Sequence, residues 1–328
     1  MKIGILGATG AVGRQMIQCL EEQNIPVDEL RLFASPRSAG GKLTFKKQEI
    51  TIEAVSETCF AGLDVVFGAV SNALAKQYAP HIVQAGALFI DNSSAFRLED
   101  DVPLVVPEIN GEDAKVNKGI ISNPNCSTII ALMAVAAIHR LSPIKRMVAS
   151  TYQAVSGAGN GGITELAEEI EQIRAAQPVS PSVFPWQIAY NCIPWIGSEK
   201  DNGYTTEEMK MMNEGRKILH APELSVSCTC VRVPVYRSHS ISLSLECERE
   251  IGLEEAEAAL SEYPGVVYMG KEYPTPLMTS DQDLVYVGRL RRDLVFPGGL
   301  ALWCCGDQIR KGAAANAVGI LKYLVENQ

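Results

Sequence analysis

Short apolar runs alternate with segments of helical periodicity along the first hundred residues. The run KIGIL predicts a buried strand, and RQMIQCLEEQ carries Met16, Ile17 and Leu20 at helical spacing. The runs ELRLFA, DVVFGAV and ALFIDNSS predict further strands, and AKQYAPHIVQAG predicts a helix between the last two. A repeated strand–helix–strand pattern is typical of a doubly wound parallel sheet, so we predict an α/β domain here.

The pattern changes near residue 120. GIIS predicts a short strand, NPN a turn, and the apolar run from Ser127 a long helix, so Cys126 lies at a helix N-terminus. Further along, SVSCTCVRVPV alternates as a β-strand does, and the stretch GAAANAVGILKYLVEN predicts a closing helix.

Composition excludes several classes of function. The 328 residues are 47% hydrophobic and 20% charged, which suits two globular domains. A net charge of −9 and the lack of any basic block argue against binding to nucleic acid or to an anionic membrane surface. The longest uncharged apolar run, residues 129–138, is too short for a bilayer span of about 20 residues. The first strand leaves no room for a signal peptide, so we expect a cytoplasmic protein.

The nine cysteines form no closely spaced ligand pattern. Their number is odd, no CxxC pair occurs, and most lie in apolar segments, where a reduced cysteine acts as a small hydrophobe. We therefore expect no disulfide framework, and no metal site is predicted.

The segment GATGAVG suits a dinucleotide. Gly7, Gly10 and Gly13 open the chain between a strand and a helix, where glycines allow a tight turn and the helix N-terminus attracts a pyrophosphate. After the second strand stand Ser35, Arg37 and Ser38 in place of the acidic residue that would bind an NAD ribose, which favours NADP. The alternatives are a plain tight turn and a solvated loop arginine.

A second polar segment, DNSSAFR, follows the strand predicted at ALFID. Its hydroxyls and Arg97 make a candidate anion site beyond the carboxyl end of the strand. A polar loop with a surface arginine is the alternative.

Cys126 is the candidate nucleophile. Unpaired N–H groups at a helix start favour the thiolate form, and a thiolate beside a dinucleotide suits attack on an aldehyde or acyl carbon followed by hydride transfer. Of four histidines, His239 is the best candidate base, and Arg232 lies seven residues before it. A proline between them predicts a turn or bulge that lets the two side chains converge. A packed cysteine at a helix cap is the alternative to the nucleophile.

Six motifs in order carry a resemblance to a known family. They are GATGAVG, SNPNCST, TYQAVSGAG, EEMK, CVRVPVYRSHS and GDQIRKGAAANAV. With them the chain closely resembles the bacterial type of aspartate-semialdehyde dehydrogenase over essentially its whole length. That family reduces L-aspartyl 4-phosphate with NADPH through a cysteine thioester and releases phosphate and L-aspartate 4-semialdehyde, in the biosynthesis of lysine, threonine, methionine, isoleucine and diaminopimelate.

The resemblance implies a role for particular residues. Cys126 matches the nucleophile, His239 the acid/base and Gln153 the residue that orients the acyl group. The residues that match substrate-binding positions are Arg97 and Lys210 for the phosphate, Arg232 for the α-carboxylate, Glu207 for the ammonium, and Asn125 beside the nucleophile. The cofactor-binding positions are Gly7, Thr9, Gly10, Ala11, Val12, Gly13, Ser35, Arg37, Ser38, Ser156, Gly157 and Asn316.

The resemblance also implies an architecture. It predicts a Rossmann-like NADP-binding domain of residues 1–126 plus 309–328. Residues 127–308 are expected to form an α+β catalytic and dimerisation domain with a mainly antiparallel sheet. A homodimer or homotetramer is expected.

Two segments depart from the family pattern. GAVSNALA, which includes Asn72, leaves the cofactor contacts around Gly68 to Ala73 open, and the loop from Pro36 to Lys47 could shift specificity toward NAD. The rival enzymes are N-acetyl-glutamyl-phosphate reductase, whose cysteine has other neighbours, and a glyceraldehyde-phosphate dehydrogenase-like protein. A non-catalytic dinucleotide-binding relative is the third alternative.

Overall fold

The computed structural model describes residues 1–327 and divides the chain into two compact units. The first contains Met1–Asn125 together with the C-terminal segment from Ala313, and the second contains Cys126–Gly312. The sequence-based boundaries are residues 126 and 308.

The first unit contains a seven-stranded sheet in the order β3-β4-β2-β1-β5-β6-β7. All neighbouring strands are parallel except the β3–β4 hairpin. The predicted doubly wound parallel sheet is confirmed. The strands are β1 (Lys2–Leu6), β2 (Glu29–Ala34), β3 (Lys42–Phe45), β4 (Gln48–Ala54), β5 (Val65–Gly68), β6 (Leu88–Asp91) and β7 (Ile120–Ser122).

Four helices belong to the first unit: α1 (Ala11–Glu22), α2 (Asn72–Gln84), α3 (Pro107–Asn110) and α9 (Ala315–Glu326). Pro36–Ser38 and Gly111–Val116 form 3₁₀ turns. Helix α9 packs on α1, and its fully buried Ala317 and Val318 share one apolar core with Ile3 and Ile5 of β1. The last helix of the chain therefore completes the core that the first strand begins.

The turn between β1 and α1 is built around close backbone contacts. Gly7 has φ +88°, which L side chains rarely adopt. A Cβ added to Gly13 would lie 2.3 Å from the carbonyl oxygen of Gly7, whereas one added to Gly10 would meet that oxygen at an ordinary 3.5 Å. The tight turn therefore needs glycine at the first and third positions of the motif for steric reasons.

The second unit contains a six-stranded mixed sheet in the order β11-β12-β13-β10-β8-β9. Three neighbouring pairs are antiparallel and two are parallel, as the mainly antiparallel prediction requires. The strands are β8 (Ile144–Gln153), β9 (Ser225–Arg232), β10 (His239–Cys247), β11 (Val266–Tyr268), β12 (Val285–Arg292) and β13 (Leu300–Gly306).

The central helix of the second unit is α4 (Cys126–Leu141), which begins at the cysteine of SNPNCST. Every residue from Ser127 to Ile138 is buried, so this helix is apolar on all sides because it lies in the core. The other helices are α5 (Asn160–Arg174), α6 (Thr206–Ile218), α7 (Leu253–Glu262) and α8 (Pro276–Thr279). Within residues 1–327, no helix combines the length and apolar character of a membrane span.

The glycine turn generates a test of the fold. We expect Gly13→Ala to lower the free energy of unfolding by about 1–3 kcal/mol, because the added methyl group overlaps the Gly7 carbonyl oxygen. Gly10→Ser is the matched control in the same turn, since its Cβ has room and serine suits the N-cap of α1. Urea unfolding of both variants measures the difference. Equal stabilities would contradict the steric role of Gly13.

Candidate active site

Three strand ends bring the main candidate residues together in the second unit. Strand β8 lies between β9 and β10, with Gln153 paired to Arg232 and with the start of β10 beside the end of β8. The segment Val233–Ser238 is a connection between two strands, not a bulge within one. Arg232 and His239 therefore converge across β8, which is how two residues of odd spacing reach the same site.

Cys126 is the first residue of α4, and its sulfur faces a histidine. The Sγ atom lies 3.3 Å from Nε2 of His239. A Cβ added to Gly312 would lie only 2.9 Å from Cβ of Cys126, so the backbone at the end of the segment GDQIRKG packs closely on the cysteine. The thiol is half-buried.

The hydrogen bonds of His239 assign its tautomer. The backbone N–H of Ala154 donates to Nδ1 at 3.1 Å, so the proton of the neutral ring lies on Nε2, which points at Cys126. The ring is completely buried, and this burial, together with the charge of Arg232, lowers the pKa of His239 to about 3. A neutral ring with an Nε2–H donor therefore faces the sulfur at neutral pH.

The backbone of Ala154 also binds Arg232. Its Nη1 donates to the carbonyl oxygen of Ala154 at 2.7 Å. Burial lowers the pKa of the guanidinium, and the charges of Cys126 and Glu207 oppose that effect. A Cβ on Gly157 would lie 2.7 Å from Nη1, so a larger residue at this point of the SGAG turn would displace the guanidinium.

Glu207 lies in the first turn of α6, and Lys210 follows it three residues later. A capping box between Thr205 and Glu208 fixes the start of this helix. Glu207 accepts hydrogen bonds from Gln153 Nε2 at 3.2 Å and from Lys210 Nζ at 2.8 Å. The predicted carboxylate, amide and ammonium groups thus form one contiguous cluster.

Gln308 supports the site, although sequence reasoning missed its role. Its side chain accepts from the backbone N–H of Ser238 at 2.8 Å and donates to the hydroxyl of Ser156. Ser156 in turn donates to the carbonyl oxygen of Tyr236 at 2.5 Å. Gln308 therefore joins the SGAG turn to the residue before His239. The motif GDQIRKG was the only sequence signal for it.

The remaining substrate candidates lie in the first unit. Arg97 follows β6, is buried, and donates from Nη2 to the carbonyl oxygen of Asn92 at 2.8 Å. Asn125 is buried and directly precedes Cys126 in the chain. Their parts in substrate binding stay predictions.

Asn316 is enclosed inside the first unit. It is completely buried, and its Nδ2 donates to the carbonyl oxygen of Val105 at 3.0 Å and to Oδ1 of Asn123 at 2.7 Å. These contacts give Asn316 a structural role in joining α9 to the segment before Asn125. Its predicted contact with the cofactor stays a prediction.

The β1–α1 turn fits the phosphates of a dinucleotide. The N-cap of α1 is Gly10, which has no side chain to cap the helix, so the N–H groups of the first turn suit a phosphate. Thr9, Ala11 and Val12 are partly exposed there. Arg37 lies exposed in the 3₁₀ turn that follows β2, the strand next to β1. Arg37 is therefore the candidate partner of a 2′-phosphate.

No group of three or more His, Cys, Asp or Glu residues suited to a metal ion occurs in the described part of the chain.

Family models match both parts of the chain. Residues 2–117 match the family model described as "Semialdehyde dehydrogenase, NAD binding domain", and residues 135–311 match "Semialdehyde dehydrogenase, dimerisation domain". Two similar curated proteins, both named aspartate-semialdehyde dehydrogenase, come from Aquifex aeolicus and Synechocystis. The first is 48% identical over 99% of this chain and 98% of its own, and the second is 44% identical over the same shares.

A solved structure is also similar over nearly the whole chain. It is aspartate semialdehyde dehydrogenase II from Vibrio cholerae, described as complexed with ASA, with a TM-score of 0.98 and 41% identity over 99% of this chain and 98% of that one.

The buried histidine generates a test. Because the pKa of His239 is lowered to about 3, the ring is expected to stay neutral, with its proton on Nε2, from pH 8 down to about pH 4.5. Nitrogen chemical shifts of ¹⁵N-labelled histidine rings report both properties, and His239→Asn identifies the signal. Protonation of this ring near pH 6.5, with both nitrogens carrying protons, would show that Ala154 does not fix the tautomer.

Proposed function

The chain belongs to the aspartate-semialdehyde dehydrogenase family, and we propose that its Cys126 carries the acyl group while L-aspartyl 4-phosphate is reduced to L-aspartate 4-semialdehyde. The enzyme is an NADP-dependent, phosphorylating aldehyde oxidoreductase. The observation that carries the proposal is the contact of 3.3 Å between Cys126 Sγ and the buried ring of His239.

Complementary charges support the proposed substrate roles. The substrate has a carboxylate, an ammonium and a phosphate, and we assign Arg232 to the first and Glu207 to the second. Lys210 and Arg97 are assigned to the phosphate. In the present arrangement Glu207 is paired with Lys210 at 2.8 Å, so a bound ammonium would compete for that carboxylate and free Lys210 for the phosphate.

The Cys126–His239 pair can perform the covalent steps. Sγ attacks the acyl carbon, the C–O bond to phosphate breaks, and a thioester forms while phosphate leaves. NADPH, when bound, supplies a hydride to the thioester carbon. The C–S bond then breaks, which releases the aldehyde and restores the thiolate. Nε2–H of His239 donates a hydrogen bond to the negative charge on sulfur or on the carbonyl oxygen at each stage.

We propose a role for His239 that differs from the acid/base role implied by the resemblance. The acid/base role requires that Nε2 accept a proton, but a doubly protonated ring would direct Nδ1–H at the N–H of Ala154. The covalent steps above need no net proton on the ring. We therefore assign His239 as a neutral hydrogen-bond donor that stabilises the thiolate and the oxyanion.

The glycine turn supports the cofactor assignment. Gly7, Gly10 and Gly13 let a pyrophosphate approach the backbone at the start of α1, and Arg37 is assigned to the 2′-phosphate of NADP.

The second unit supports assembly into a dimer. Residues 135–311 match a dimerisation-domain model. On β8, Met147 and Ala149 are buried, whereas Val148 and Tyr152 point to the opposite face and are 42% and 40% exposed. We propose that this open face of the sheet contributes to a homodimer. A homotetramer is the alternative assembly.

The activity has a direct test. We expect the purified protein to reduce NADP with L-aspartate 4-semialdehyde in a phosphate-dependent manner, and to be far slower with N-acetyl-glutamate 5-semialdehyde. Cys126→Ser should lower kcat by on the order of 10⁴-fold or more, because the nucleophile is lost. Turnover of the acetylated aldehyde alone would replace the proposed substrate. An active Cys126→Ser variant would remove the thioester from the mechanism.

Cofactor selectivity has a separate test. Arg37→Ala should raise KM for NADP about 10-fold or more and leave KM for NAD nearly unchanged, because only NADP carries the 2′-phosphate. Lys42→Ala in the nearby edge strand is the control, since its exposed ion pair with Glu49 contributes little. Equal effects of Arg37→Ala on both cofactors would contradict the assignment.

A further inference from the structure

Two buried carboxylates of α5 accept hydrogen bonds from an irregular segment of the second unit. We call this segment, residues 178–193, the aromatic loop. Glu165 accepts hydrogen bonds from backbone N–H groups of the loop, including that of Phe184 at 3.0 Å. Glu169, one helical turn later, accepts from Ile188 at 2.9 Å and from Ala189 at 2.7 Å. The loop therefore has a defined position although it contains no regular secondary structure.

Glu165 is suited to hold the loop in its charged form. Burial alone would raise the pKa of this carboxyl, but the hydrogen bonds from Phe184, Ser182 and Val183 bring it below the ordinary value. A carboxylate that accepts several N–H bonds is a strong local anchor.

The aromatic loop contacts Arg232 in two ways. At the backbone, Ile193 and Arg232 exchange hydrogen bonds of 2.9 Å and 2.8 Å. At the side chain, the ring centroid of Phe184 lies 5.7 Å from Cζ of Arg232. A guanidinium within about 6 Å of a ring centroid is in range for a cation–π interaction.

The ring of Phe184 also packs against α5. A Cβ added to Gly162 would lie 3.0 Å from Cζ of Phe184 and 2.3 Å from the carbonyl oxygen of Val155. Glycine at this position thus lets the ring rest on the helix. The guanidinium itself is oriented by its bond of 2.7 Å to the Ala154 carbonyl oxygen.

We propose that Phe184 is a positioning residue that fixes the guanidinium plane of Arg232 for the substrate carboxylate, with Glu165 holding the loop that carries the ring. This inference rests on the proposed function, because Arg232 is assigned there to the carboxylate. Phe184 contacts Arg232 and acts through it. A bidentate bond between a guanidinium and a carboxylate depends on the orientation of that plane, so a loose arginine binds more weakly.

The experiment compares substitutions within the aromatic loop. Phe184→Leu retains an apolar side chain but lacks the aromatic face, and it should raise KM for L-aspartate 4-semialdehyde by about 5- to 10-fold. Changes in kcat should stay within about two-fold, and KM for phosphate and for NADP should not change. Phe184→Tyr should restore the wild-type KM. The matched control is Trp186→Leu, which alters an exposed aromatic residue of the same loop.

A double-mutant cycle separates positioning from general packing. In an Arg232→Lys background, Phe184→Leu should cause no further rise in KM, because the group on which the ring acts is gone. A full additional rise there, or a parallel loss of NADP affinity, would assign Phe184 a merely structural role and overturn the proposal. A wild-type KM in Phe184→Leu would also overturn it.

Different outcomes test the carboxylate role of Arg232 and the positioning role of Phe184. A wild-type KM in Arg232→Lys would refute the carboxylate role of Arg232 and thus the proposed function at this residue. An impaired Arg232→Lys beside an unimpaired Phe184→Leu would refute only the positioning role.

Discussion

The backbone of Ala154 orients two side chains of the candidate site in the second unit. Its N–H orients the ring of His239, and its carbonyl oxygen orients the guanidinium of Arg232. Both interactions depend on β8 lying between β9 and β10 in one register. A slip of one residue would turn every side chain of β8 to the other face and remove Gln153 from the site. The geometry of the candidate site therefore depends first on how the strands pair.

Burial determines the orientation and the protonation of His239 and Arg232. A buried polar group without a partner is costly, and here the partners are few and specific, so each ring and guanidinium has one favourable orientation. Because His239 is enclosed next to a cation, its neutral form is favoured, and the available proton faces the sulfur. Glu207 moderates the positive potential of Arg232 and also holds Gln153 and Lys210. Burial of polar groups costs stability, and the same burial determines the protonation state of His239.

The sequence predicted what local patterns determine. The alternation of strands and helices, the glycine turn after β1 and the helix that begins at Cys126 all follow from neighbouring residues, and the structure has them. That β8 lies between the strands of Arg232 and His239 could not be predicted, because this pairing joins segments far apart in the chain. Ala154 acts only through its backbone, so no side-chain pattern marks it. The role of Phe184 depends on a loop held by Glu165, which no periodicity reveals.

Helix α9 ties the first strand to a segment far along the chain. Its Ala317 and Val318 share a core with Ile3 and Ile5, a sequence separation of more than three hundred residues. Contacts this distant in sequence form late, so the nascent sheet emerges from the ribosome with an apolar face that remains uncovered until α9 has been synthesised. The order of synthesis and the order of closure therefore differ: Cys126–Gly312 can be made in full before the dinucleotide-binding unit has all of its core.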